Sequence, residues 1–130
     1  MDKKMRVLIA EDSGADTELF TRALRPFVKS KGLVVDSARN GDEALALIKN
    51  EKYDVVFLDV SMPGPTGIEL LHYIKENHLK EKVVILTGYP DVNNHFCKLL
   101  GAAEYLEKPI DPKALEAILE KYDPSRNSKL

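Results

Sequence analysis

Glu11, Asp12, Asp59, Thr87 and Lys108 have the side chains needed to hold a divalent cation and a phosphoryl group, and each follows an apolar run. The run from Met5 to Ala10 leads into Glu11-Asp12, Val55 to Leu58 into Asp59, and Val83 to Leu86 into Thr87. Lys108 stands just beyond a shorter run, Glu104 to Leu106. If these runs are strands of an open parallel α/β sheet, all five residues lie at its carboxyl edge, where ligands and chemistry gather in such folds. Taken singly, an acidic pair is a solvated turn, a Thr after a strand is commonplace, and a Lys-Pro pair is a surface turn. Their coincidence at four strand ends is what marks a site.

The chemistry follows from the residue types. Pairing of the first and third strands brings Glu11 and Asp12 beside Asp59, and like charges so close raise one another's pKa unless a cation keeps them ionised. All-oxygen ligation by few protein groups favours Mg²⁺, which retains several waters and takes a phosphate oxygen readily. Asp59 then suits the role of nucleophile, attacking phosphorus to form an acyl phosphate. Such transfer depends mostly on positioning and on neutralising the equatorial oxygens. Thr87 offers a hydrogen bond to one oxygen, and the flexible ammonium of Lys108 can pair with another. Pro109 follows directly, and a cis Lys108-Pro109 bond would fix the backbone that aims the lysine.

The elements that must place these groups are legible in the pattern. Five apolar stretches, counting Leu33 to Ser37 as the second, alternate with segments of helical period, the signature of βαβ units and a parallel sheet. The first helix starts near Ser13 and turns Leu19, Phe20, Ala23 and Leu24 inward; Pro26 predicts a kink or an early end. The second follows Asn40-Gly41 with Ala44, Leu45, Leu47 and Ile48 buried, and the third starts near Gly67 with Ile68, Leu71 and Ile74 on one stripe. The fourth begins after Pro90-Asp91, has weak helix formers in Asn93-Asn94, and buries Phe96, Leu99 and Leu100 before a left-handed Gly101. Asp111 caps the fifth, Pro112 takes its first position, and Leu115, Ile118, Leu119 and Tyr122 share a face. His72, His78 and His95 read as solvated surface, Tyr105 as a half-buried aromatic, and Asp123 to Leu130 as a polar tail.

Composition limits the function. The chain has 130 residues, the size of one domain, so the reading is a single unit over 1–124 with a tail at 125–130. Its one cysteine, Cys97, forms no internal bridge and no Cys/His cluster has zinc spacing, which points to a reducing cytoplasmic setting with Cys97 as a small apolar residue. No stretch is long enough for a signal sequence or a membrane span. A net charge of -2 argues against a surface specialised for nucleic acid.

These residues resemble the receiver domains of two-component response regulators, including the single-domain chemotaxis type. The resemblance covers essentially residues 5–122. It rests on Glu11-Asp12, on Phe57-Leu58-Asp59-Val60-Ser61-Met62-Pro63-Gly64 with Gly67 beyond, on Thr87-Gly88 and on Lys108-Pro109. It implies a flavodoxin-like, doubly wound (βα)5 fold with a five-stranded parallel sheet of order 2-1-3-4-5. It also implies that Asp59 is phosphorylated, that Asp12 and Asp59 bind Mg²⁺ directly with Glu11 acting mainly through water, and that the Ser61 carbonyl completes the protein ligands. Thr87 and Lys108 would contact the phosphoryl group, with Gly88 leaving access and Ser61 and Tyr89 tuning its lifetime. The phosphodonor would be a sensor histidine kinase or a histidine phosphotransfer protein. Inward movement of Thr87, followed by Tyr105, would remodel the face of helix four, strand five and helix five toward a downstream effector protein.

Other readings predict different residues. Haloacid-dehalogenase-type phosphatases need a second Asp two residues after the nucleophile, where this chain has Ser61. The expectation is therefore a regulatory phosphoprotein that catalyses only its own phosphorylation and dephosphorylation. A phosphate-independent interaction module would have lost some of the acidic pair, Asp59 or Lys108. A receiver that is one part of a longer regulator or hybrid kinase would keep them all.

Overall fold

The computed structural model describes residues 4–88 and 94–127, apart from the side chains of 94–96 and 126–127. Strands and helices alternate along the chain: β1 (Arg6–Ala10), α1 (Gly14–Lys31), β2 (Val34–Ala38), α2 (Gly41–Asn50), β3 (Val55–Asp59), α3 (Gly67–Glu76), β4 (Lys82–Thr87), α4 (Asn94–Leu99), β5 (Glu104–Glu107), α5 (Pro112–Lys121) and a single turn, α6 (Pro124–Asn127). The strands form one parallel sheet in the order β2-β1-β3-β4-β5, as the sequence predicts. Among the described residues no helix is long and apolar enough to cross a membrane.

The continuous apolar runs exist because helices cover both faces of the sheet. Successive strand residues point to opposite faces, so each strand feeds two cores. Leu8, Val56, Leu58 and Ile85 meet Ala44, Ile48, Leu71 and Ile74 of α2 and α3. On the other face Ile9, Phe57, Val84 and Leu86 meet Phe20 and Leu24 of α1 and Leu115 and Leu119 of α5. Phe20 and Phe57 pack edge to face with ring centroids 4.8 Å apart. The register Asp59↔Leu86 and Thr87↔Glu107 brings the ends of β3, β4 and β5 to one edge of the sheet.

Caps set the helix starts. Ser13 Oγ accepts from the Asp16 N–H at 3.2 Å, Asn40 Oδ1 from Glu43 at 2.8 Å, and Asp111 Oδ1 from Lys113 at 3.0 Å, each satisfying an orphan donor of the first turn. Thr66 and Glu69 form a reciprocal capping box at α3.

Three expectations are corrected. α1 does not end at Pro26 but runs to Lys31, because Phe27 packs against the core beyond the proline and Gly32, at φ 67°, donates to the carbonyls of Phe27 and Val28. Leu19 is 59% exposed, since the buried stripe of α1 is centred on Phe20 and Leu24. Among the described side chains of α4 Cys97 is buried whereas Leu99 faces outward, as does Leu100 just beyond the helix, so the side turned to the sheet is set by Cys97. Gly101 takes the expected positive φ, 101°. Phe96 and His95 lie outside the described side chains, and the start of this helix at Pro90 to Asn93 outside the described residues. His72 and His78 are exposed, Tyr105 is half-buried, and the end of the sequence predicted to be a polar tail contributes the α6 turn.

Candidate functional site

The acidic pair is fixed where β1 gives way to α1. The Glu11 N–H donates to the Ala38 carbonyl at 3.0 Å, continuing the β1–β2 pairing by one residue. Glu11 Oε1 accepts from the Ser13 N–H at 3.1 Å, which ties the carboxylate to the start of the helix. Glu11 is buried, whereas Asp12 is exposed at the mouth of the site.

Asp59 is the last residue of β3 rather than the first of its loop, and only 5% of it is exposed. The Val60 N–H still pairs with the Leu86 carbonyl at 3.0 Å, and the Ser61 N–H donates to Asp59 Oδ1 at 3.3 Å. Gly67, the first residue of α3, lies against this backbone so closely that a β-carbon there would overlap the Asp59 carbonyl. Gly67→Ala is therefore expected to cost about 1–3 kcal/mol through overpacking, read as a lower denaturation midpoint with an unchanged slope.

Thr87 ends β4 and is fully buried. Its carbonyl accepts from the Lys108 N–H at 2.8 Å, so the backbones of the two proposed phosphate-binding residues are joined directly. The Lys108-Pro109 bond is cis. The Lys108 ammonium then reaches across the strand ends to Glu11 Oε2 at 2.6 Å, Asp59 Oδ2 at 3.1 Å and Asp16 Oδ2 at 3.3 Å. Gly88 is exposed, and a β-carbon there would stand 4.0 Å from Lys108 Cβ with no other neighbour as close. Tyr89 lies outside the described residues.

The charges are strongly coupled. Burial raises the pKa of the Glu11 carboxyl above the ordinary value and the neighbouring Asp59 raises it further, against the opposing pull of Lys108 and the Ser13 N–H. Burial disfavours the Lys108 ammonium, but hydrogen bonds to Glu11 and Asp59 outweigh it and hold that pKa above the ordinary lysine range. Oxygen atoms of Glu11, Asp12 and Asp59 lie within 4.8 Å of one another. A donor set of three carboxylate oxygens, two of them buried, fits a small hard cation such as Mg²⁺.

The structure thus brings together Glu11, Asp12, Asp59 and Lys108, places Thr87 alongside, and sets the Ser61 amide against Asp59. Sequence reasoning missed Asp16. An acid in the first turn of a helix needs no explanation beyond the helix dipole, and nothing local connects it to a lysine 92 positions away.

The fold and this edge of the sheet define a class, and comparison with known proteins agrees. The putative response regulator from Chloroflexus aurantiacus superimposes with a TM-score of 0.81 at 28% identity, covering 92% of this chain and 98% of that one. Yeast Ssk1, solved as a receiver domain in complex with the histidine phosphotransfer protein Ypd1, shares the fold at a TM-score of 0.78 and 24% identity, with 95% and 91% coverage. The transcriptional regulatory protein DltR of Streptococcus agalactiae is 32% identical over 114 residues, 87% of this chain and 49% of DltR. The family model for the response regulator receiver domain matches residues 7–120, and the chain belongs to that family. It spans about half the length of curated relatives such as DltR.

Proposed function

We propose that this protein is a phosphoacceptor switch of two-component signalling, in which Asp59 takes a phosphoryl group from the phosphohistidine of a sensor kinase or phosphotransfer protein. The observation that carries this reading is the near-complete burial of the Asp59 carboxylate beside two further acids, with Lys108 Nζ 3.1 Å away. Asp59 attacks phosphorus as the P–N bond to the donor imidazole breaks, and the imidazole keeps its electron pair to be protonated. Lys108 and Thr87 would receive charge developing on the phosphoryl oxygens. Asp12 and Asp59 would hold Mg²⁺ directly, with Glu11 through water and the Ser61 carbonyl as a further ligand. When bound, the ion would neutralise carboxylate and phosphoryl charge together. Because Ser61 supplies no acid or base where a phosphatase has its second Asp, the phosphoryl group persists long enough to signal.

The output runs from Thr87 to Tyr105, the second residue of β5, which packs beside the core, and remodels the face of α4, β5 and α5 toward an effector protein in the cytoplasm. The chain catalyses only its own phosphorylation and dephosphorylation. The proposed unit covers 1–124, followed by the polar residues 125–130. Relatives twice as long favour a second setting, in which the same unit is the input part of a larger regulator. The yeast receiver bound to Ypd1 supports a phosphotransfer protein as one class of donor.

Intact mass spectrometry after incubation with acetyl phosphate and Mg²⁺ tests the reading. One added phosphoryl group is expected, and none when EDTA replaces the metal; no addition, or equal addition in EDTA, contradicts it. Mg²⁺ alone should raise the melting temperature by relieving repulsion among the three acids. Calorimetry at about 100 times the dissociation constant should register about 2.7 kcal/mol of stabilisation.

A further inference from the structure

Asp16 is the fourth carboxylate at this site and has no part in the receiver pattern set out above. Its side chain is 44% exposed on the first turn of α1, and its Oδ2 lies 3.3 Å from Lys108 Nζ. It stands outside the group of acids placed to share a cation, which among the described residues is Glu11, Asp12 and Asp59. Of the three acids at ion-pair distance from Lys108, which are Glu11, Asp59 and Asp16, Asp16 is the one outside that group, so its carboxylate is left to compete with a phosphoryl oxygen for the ammonium. Formally, Lys108 and a divalent ion together carry three positive charges against four carboxylates, so the completed site stays repulsive to an anion.

Resting on the function proposed above, we infer that Asp16 is a positioning residue that restrains Lys108 on the α1 side and selects against small anionic phosphodonors. It acts through the lysine and through its own charge. With acetyl phosphate, a dianion, Asp59 forms the new P–O bond as the P–O bond to acetate breaks and acetate leaves with the electron pair. The donor must enter a negative field and win Lys108 from Asp16. With phosphoramidate, whose nitrogen carries a proton and lowers the net charge, the P–N bond breaks, ammonia leaves, and the penalty for entry is smaller. Removing one unit charge a few ångströms from a dianion's path is expected to change the rate about three- to tenfold at low ionic strength.

The test compares phosphorylation rates of wild type, Asp16→Asn and Asp16→Glu with each donor at saturating Mg²⁺. Asp16→Asn should accelerate acetyl phosphate about three- to tenfold and phosphoramidate distinctly less, with the difference closing in high salt as the charge is screened. Asp16→Glu, which restores the carboxylate, should stay near wild type. An unchanged or slower Asp16→Asn, or equal acceleration by both donors, overturns the inference while leaving the function intact. A wild type that accepts phosphate from neither donor overturns the function and this inference with it. A metal-free readout is independent of turnover: acylation of Lys108 by sulfosuccinimidyl acetate, read by peptide mass spectrometry against exposed Lys29. Labelling should rise in Asp16→Asn, and unchanged labelling contradicts the restraint on the lysine.

Discussion

Asp59→Asn is expected to accept no phosphoryl group from acetyl phosphate and, in metal-free buffer, to melt a few degrees above the wild type. Loss of phosphorylation follows because an amide lacks the nucleophilic carboxylate oxygen. The gain in stability follows from crowding: Asp59 shares a space within 4.8 Å with Glu11 and Asp12, and Glu11 is already pushed toward its protonated form. Removing the Asp59 charge ends two repulsions and one attraction. Lys108 keeps Glu11 at 2.6 Å and Asp16 at 3.3 Å, and the amide oxygen still accepts from Ser61. After allowance for screening the balance is about 1 kcal/mol in favour of the variant. Differential scanning calorimetry with EDTA checks the sign. A variant less stable than wild type would mean that the Lys108–Asp59 pair outweighs the repulsion, and that the site is built for stability before function.

Phe57→Ala is expected to lower stability by about 3–5 kcal/mol, the range for removing a large buried aromatic. For a chain of this size that is a fall of roughly 10–20 °C in melting temperature. Phe57 is fully buried, packs edge to face on Phe20, and lies on the same face of β3 as Asp59, two residues on. It holds α1 to the sheet, and α1 carries Asp16, so the cavity loosens the support of the site without touching it. Phosphorylation should survive at low temperature and disappear near the lowered midpoint. Phe57→Leu, which fills most of the volume, should recover most of the loss. Calorimetry of both variants beside the phosphorylation assay separates stability from chemistry.

Much of this was legible in the chain because periodicity and caps state their own geometry. The uniform runs 55–58 and 83–86 read as central strands and are central. Asp111 caps where it was expected to. Errors fell where tertiary packing decides. The strands at Asp59 and Thr87 continue one residue further, because pairing with neighbours holds the ends that hydrophobicity alone would release. Pro26 was read by its missing N–H, yet Phe27 and the Gly32 cap outweigh that loss. Leu19 and Leu99 fit an inward stripe by period but point to solvent, since the direction a helix faces depends on where the sheet lies. At the site, the grouping of Glu11, Asp12, Asp59 and Lys108 was readable from strand ends, whereas Asp16 was not. Its contact with Lys108 exists only once α1 and the loop after β5 meet.

The most direct test is where the phosphoryl group goes. Wild-type protein treated with acetyl phosphate and Mg²⁺, then reduced with borohydride, should yield one peptide in which residue 59 has become homoserine, the reduction product of an acyl phosphate. Phosphate stable to borohydride, homoserine at any other acid, or the same product from Asp59→Asn would contradict Asp59 as the acceptor.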